Sequence, residues 1–183
     1  MRTSASFGRT DVELVQGDIT AQPDLDAIVN AANARLTTGG GVAGAIHAAA
    51  GRKLARACRP LAPIAPGEVV ATDAFGLPNR RVLHALGPVY GRDEPADALL
   101  SDCYRRALEL AATEGLRSVG FPALSTGAFG YPLRPAAEVA LRTVKETLEA
   151  GSSLGLVRFV LFSPQDLEVH AEVLSAIVDP ERP

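Results

Sequence analysis

Along the chain, short runs of apolar and β-branched residues alternate with longer segments whose apolar positions recur every three or four residues. The runs VELVQ (Val12–Gln16), DAIVNAA (Asp26–Ala32), GEVVATDA (Gly67–Ala74), RRVLHAL (Arg80–Leu86), RSVGFPAL (Arg117–Leu124) and VRFVLF (Val157–Phe162) predict strands. The segments Val42–Cys58, Pro95–Gly115, Arg134–Gly151 and Pro164–Asp179 predict helices, the second opening on a proline and closing on a glycine, the third closing on Gly151. Such alternation predicts an α/β chain: a three-layer α/β/α sandwich with a mixed, mostly parallel central sheet, because the crossover helices must cover both faces of parallel strands. The runs at 67–74 and 80–86 are close enough for an antiparallel hairpin. In open sheets of this kind ligands sit beyond the carboxyl ends of the strands, where Asn30, Asn33, Ser125 and Ser163 fall.

A length of 183 residues suits a single domain over 1–183. The apolar fraction of 47% is ordinary for a globular chain, and no segment approaches the roughly 20 apolar residues of a membrane span, so no membrane partner is expected. The opening MRTSASFGRT is polar and lacks the apolar region of a secretory signal, which points to the cytoplasm. Cys58 and Cys103 form no CxxC pattern and lie in predicted helices, so they read as buried thiols. A net charge of −3 argues against a nucleic-acid footprint. An anionic ligand must therefore be held locally.

The chemistry concentrates in NAANARLTTGGGVAGAIHAAAG, Asn30–Gly51. A helix N-terminus exposes free N–H groups and the positive end of its dipole, so a glycine loop feeding it can wrap a phosphate closely. Gly39, Gly40 and Gly41 suit that task, and a plain flexible turn is the alternative. The Walker pattern fails, because no Lys-Ser or Lys-Thr follows the glycines. Gly39, Gly41 and Gly44 formally meet G-x-G-x-x-G, but NARLTT separates them from the strand, and no acid occurs between Gly51 and Gly67. A second loop, PALSTGAFGYP (Pro122–Pro132), follows a predicted strand and concentrates Ser, Thr, Gly and an aromatic. Two such loops could grip a diphosphate from both sides. Asp18, in QGDIT, is either an acceptor for an exocyclic amine or the cap of a helix after Thr20.

The ordered set GDIT, DAIVNAAN, GGGVAGAIHAAAG, LHALGP, LSTGAFGYP and VLFS resembles the macrodomain family, in its stand-alone MacroD-type branch, over about residues 11–178. The resemblance implies an α/β/α module that recognises ADP-ribose and removes it from modified proteins or deacetylates O-acetyl-ADP-ribose. By it, Asp18 would accept the adenine 6-amino group, the Ile19 N–H would approach the ring, and Phe162 would pack against it, unless Phe162 is a core residue closing its strand. Gly40, Gly41 and Val42 would surround one phosphate and the distal ribose; Ser125, Thr126, Gly127, Ala128 and Phe129 would surround the other phosphate. Asn33 would hold the distal ribose hydroxyls as the catalytic residue. Asn30 reads as an internal brace, His47 and His84 as structural histidines, and His170 as part of the solvated face of the last helix.

One position departs from the pattern. MacroD-type hydrolases usually carry an aspartate in GGGVDG, thought to position or activate water, where this chain has Ala43. Coronaviral macrodomains resemble this chain in reading GGGVAG and are hydrolases, with the substrate's own phosphate as the proposed water activator. The expected partners are thus ADP-ribose and ADP-ribosylated proteins, with no cofactor and no metal. A non-catalytic ADP-ribose-binding module and an ADP-ribose-1″-phosphate phosphatase stand as alternatives.

Overall fold

The computed structural model describes residues 2–180. Its elements run β1 (Ser4–Phe7), β2 (Thr10–Gln16), β3 (Ala27–Ala31), α1 (Gly41–Ala50), α2 (Arg52–Cys58), a 3₁₀ turn (Arg59–Leu61), β4 (Val69–Asp73), β5 (Arg81–Ala85), α3 (Ala96–Thr113), β6 (Ser118–Phe121), α4 (Leu133–Glu149), β7 (Leu156–Leu161) and α5 (Pro164–Val178). The strands form one seven-stranded sheet in the order β1-β2-β7-β6-β3-β5-β4. The five inner strands are parallel, while β1 and β4 pair antiparallel at the edges.

The alternation within each strand decides which helices cover it. Ala27 and Val29 of β3, Leu83 and Ala85 of β5, and Val157, Phe159 and Leu161 of β7 face a core shared with α3, α4 and α5. Ile28, Val82 and Val160 point the other way, into a core with Ile46 and Ala50 of α1 and Leu54 and Cys58 of α2. The result is the expected three-layer sandwich. Both cysteines are buried and free.

Three local features differ from the sequence reading. Val42–Cys58 is not one helix, because Gly51, with φ 84° and ψ 179°, breaks the chain between α1 and α2. The polar opening contributes an edge strand: β1 pairs with β2 from Ser4 opposite Glu13 to Phe7 opposite Thr10, and buries Phe7 in the core. His170 does not lie on a solvated face. It is buried against Phe159, 5.8 Å between ring centroids, with Nδ1 2.7 Å from the Asp166 carbonyl oxygen.

Candidate functional site

Because β2, β7, β6, β3 and β5 are parallel neighbours, their carboxyl ends share one edge of the sheet. The candidate residues follow along it in spatial order: Asp18 and Ile19 after β2, Phe162 after β7, Ser125–Phe129 after β6, and Asn33 with the glycine loop after β3. A cleft of about 360 Å³ opens between the last two groups. One wall is Asn33, Gly40, Gly41, Val42 and Ala43; the other is Ser125, Gly127, Ala128 and Phe129. Thr126 is the loop member that does not line it, and its hydroxyl instead donates to the Ala123 carbonyl at 3.0 Å. Asp18, Ile19 and Phe162 stand outside this cavity, farther along the same edge.

The glycines differ in what they do. Gly41 adopts φ 60°, a left-handed conformation costly for a side chain, and faces open space. Gly44 is required by contact, since a Cβ there would overlap the Gly39 carbonyl oxygen. Gly40 caps α1 without any side-chain hydrogen bond, and the first turn holds no acid. The leading N–H groups of α1 thus have no side-chain cap, and the positive end of the helix dipole lies behind them. Among the described residues no charged side chain lines the cleft, which presents backbone groups together with the Asn33 amide and Ser125.

Asn33 braces its own turn: its Nδ2 donates to the Thr37 carbonyl at 3.0 Å, and its Oδ1 accepts from the Thr37 N–H at 3.1 Å and hydroxyl at 3.3 Å. Asp18 caps no helix, because none follows Thr20. Its Oδ1 instead closes a turn, accepting from the Thr20 N–H at 2.8 Å and hydroxyl at 2.7 Å. Ile19 is buried, its side chain packed below Gly120. Phe162 is no core residue, being 85% exposed, although the Ser163–Asp166 capping box of α5 anchors the next residue.

Below the glycine loop, on the α1–α2 side of the sheet, lies a buried polar chain. The Asn30 Nδ2 donates to His84 Nδ1 at 3.1 Å, and His84 Nε2 lies 2.9 Å from the Thr72 hydroxyl oxygen. Since that hydroxyl donates to the Asp73 carbonyl at 3.0 Å, Nε2 carries the hydrogen and His84 is neutral. Burial pushes the His84 imidazole down to about 4, reinforced by nearby His47. Asn30 and His84 are therefore internal, as expected. His47 is buried too, but its Nε2 has no partner among the described residues, and it lines a shallow depression behind the loop rather than the cleft. Gly87 and Tyr90, which follow β5, also touch the 123–131 loop, and sequence reasoning missed them. The LHALGP motif, Leu83–Pro88, carried the one signal for Gly87, and Tyr90 lies just beyond it.

Comparison with known proteins agrees with this geometry. An O-acetyl-ADP-ribose deacetylase of Klebsiella pneumoniae is 43% identical over 169 residues, covering 90% of this chain and 96% of the relative. A macrodomain of Oceanobacillus iheyensis solved with ADP superposes with a TM-score of 0.93 at 39% identity, over 97% of this chain and 96% of that one. A Trypanosoma brucei macrodomain in complex with ADP-ribose gives a TM-score of 0.82 at 42% identity, over 89% of this chain and 66% of the other. The Macro domain model matches residues 29–140, a span that runs from β3 through both walls of the cleft to α4, and the chain belongs to the Macro domain family.

Proposed function

We propose that the protein binds ADP-ribose along the carboxyl edge of its sheet and hydrolyses the ester that joins the distal ribose to an acyl group, either acetate or a protein Asp or Glu side chain. The observation that carries this reading is the uncharged cleft between two loops, with the exposed Phe162 and Asp18 farther along the same edge. Relatives named O-acetyl-ADP-ribose deacetylase, and a structure solved with ADP-ribose, support it. Adenine stacks on Phe162 while Asp18 accepts from its 6-amino group and the Ile19 N–H meets the ring. The diphosphate lies between Gly40–Val42 and Ser125–Phe129, held by N–H groups, and the distal ribose reaches Asn33.

Water then attacks the acyl carbon, the bond from that carbon to the ribose oxygen breaks, and ADP-ribose leaves with the carboxylic acid. Ala43 supplies no base, so a phosphate oxygen of the bound substrate takes the water proton. Catalysis rests on orientation by Asn33 and on the fixed dipoles of the loops. The cleft offers one amide, one hydroxyl and backbone groups, a set unsuited to a divalent cation, and the reaction proceeds without metal. The second reading, recognition without turnover, is favoured by Ala43 itself, whose methyl group lines the cleft where the resemblance places an aspartate. A time course with O-acetyl-ADP-ribose and with a protein ADP-ribosylated on Glu or Asp, each with and without enzyme and with chelator, separates the two. Product from either substrate, unchanged by chelator, is expected. Tight ADP-ribose binding with no product above background establishes the binding module instead.

A further inference from the structure

The segment Gly87–Asp93 follows β5 and crosses to the 123–131 loop. Gly87 stands against Ser125: a Cβ built on it would overlap the Ser125 Oγ, whereas the Ser125 Cβ and N would lie 3.4 and 3.7 Å away. Tyr90 holds the far end of the same loop, its N–H donating to the Phe129 carbonyl at 2.9 Å and its ring 4.8 Å from the ring of Tyr131. The segment is itself closed by hydrogen bonds. Arg92 and Asp93 N–H groups donate to the Val89 carbonyl at 3.1 and 3.0 Å, and the Val89 N–H donates to the Asp93 Oδ2 at 2.8 Å.

Ser125 needs such a support. It adopts φ 64°, uncommon for a residue with a side chain, and its hydroxyl is buried without a partner among the described residues. Neither feature is favourable alone, so contacts must offset them: within the loop the Tyr131 N–H donates to the Ser125 carbonyl at 2.9 Å, and from outside Gly87 packs against the Ser125 side chain. Gly127 and Ala128, which line the cleft, lie between the two supported residues. Resting on the ADP-ribose reading above, we propose that the 87–93 segment sets the 123–131 loop in its ligand-receiving shape, with Gly87 as a positioning residue that acts through Ser125.

The test is a double-mutant cycle read by calorimetry with ADP-ribose and by the amide resonances of Gly127 and Ala128 in the ligand-free protein. Gly87→Ala should weaken binding by about tenfold or more and shift those resonances. Adding Ser125→Ala removes the oxygen that the new methyl group would meet. The double mutant should therefore bind several-fold more tightly than Gly87→Ala alone, at ~3-fold or more, and move the resonances back. Gly87→Ala with wild-type affinity and resonances overturns the proposal, as does a double mutant no better than the single. If Gly87→Ala does not fold, the double mutant decides: a folded, binding protein supports the proposal, and a second failure to fold overturns it. If the wild-type protein itself does not bind ADP-ribose, that reading falls, while the ligand-free resonances still decide the positioning role.

Discussion

Asp18 and Phe162 are neighbours at the carboxyl edge of the sheet although 144 positions separate them, because β2 and β7 pair in parallel with Gln16 opposite Leu161, and the Gly17 N–H donates to the Leu161 carbonyl at 3.0 Å. Each leaves its strand within two residues of that pairing. A carboxylate and an exposed ring so placed can read the edge and the face of one planar group.

Phe162→Ala should therefore weaken ADP-ribose binding by about 1–3 kcal/mol, the scale of base stacking on an aromatic. Thermal stability should change little, because the ring is 85% exposed and fills no core space. Asp18→Asn keeps an oxygen for the turn with Thr20 while replacing the second carboxylate oxygen with a donor, and should cost a further ~1–3 kcal/mol of affinity. Calorimetry with ADP-ribose decides both; wild-type affinity in either folded variant removes that residue from the adenine site.

Gly41→Val should abolish binding while leaving the fold intact. Space at the position is open, so the sandwich does not resist the side chain. The φ of 60° does, and the branched group also fills the approach to the first N–H groups of α1. Gly41→Ala should fall between, losing about 1 kcal/mol of stability to backbone strain. Tight binding by the valine variant would reduce the loop to a turn.

Asn33→Ala should lower kcat by about 10²-fold while changing ADP-ribose affinity much less, since a group that aligns the reacting ribose acts chiefly in the transition state. The same change removes the hydrogen bonds to Thr37 and should lower Tm. Thr37→Val separates the two effects: it disturbs the turn but leaves the amide, and should retain most of the turnover. Equal losses in kcat for the two variants would assign Asn33 to the turn alone.

Stability should fall as the solution is acidified from pH 7 towards 4. His84 titrates at about 4 in the folded protein against an ordinary 6.5, so between these values the unfolded chain binds the extra proton and folding must expel it. The contribution is fully present above about pH 6.5 and is lost on descent to about 4, on the order of 3 kcal/mol. An NMR titration of the His84 ring with a midpoint near 4, alongside urea melts at several pH values, checks it. A midpoint near 6.5 would remove the effect.

The layer order was legible because strand and helix periods differ and each run carried its own stop signals. The two loops that line the cleft were legible as well, since their clusters of glycine and small polar residues at a strand end and a helix start stand out along the chain. β1 was not: Ser4–Phe7 is only four residues long and half polar, and it becomes a strand only because β2 offers an unpaired edge. His170 looked solvated from its helix position, yet the face it occupies is decided by how α5 docks on Phe159. Local sequence records a residue's neighbours along the chain, whereas burial depends on what the sheet brings from elsewhere.

By itself, then, the sequence determined the α/β/α class, the two loops, the absence of an acid at Ala43 and the family resemblance, all of them properties written within about 20 consecutive residues or in their order along the chain. Only the tertiary structure decided that Phe162 stands exposed rather than in the core, that Asp18 closes a turn rather than capping a helix, and that Gly87 makes room for the Ser125 hydroxyl. The physical reason is the strand order: β2-β7-β6-β3-β5 is a spatial sequence unlike the chain order, and it alone sets residues 38 to 145 positions apart opposite one another in one row.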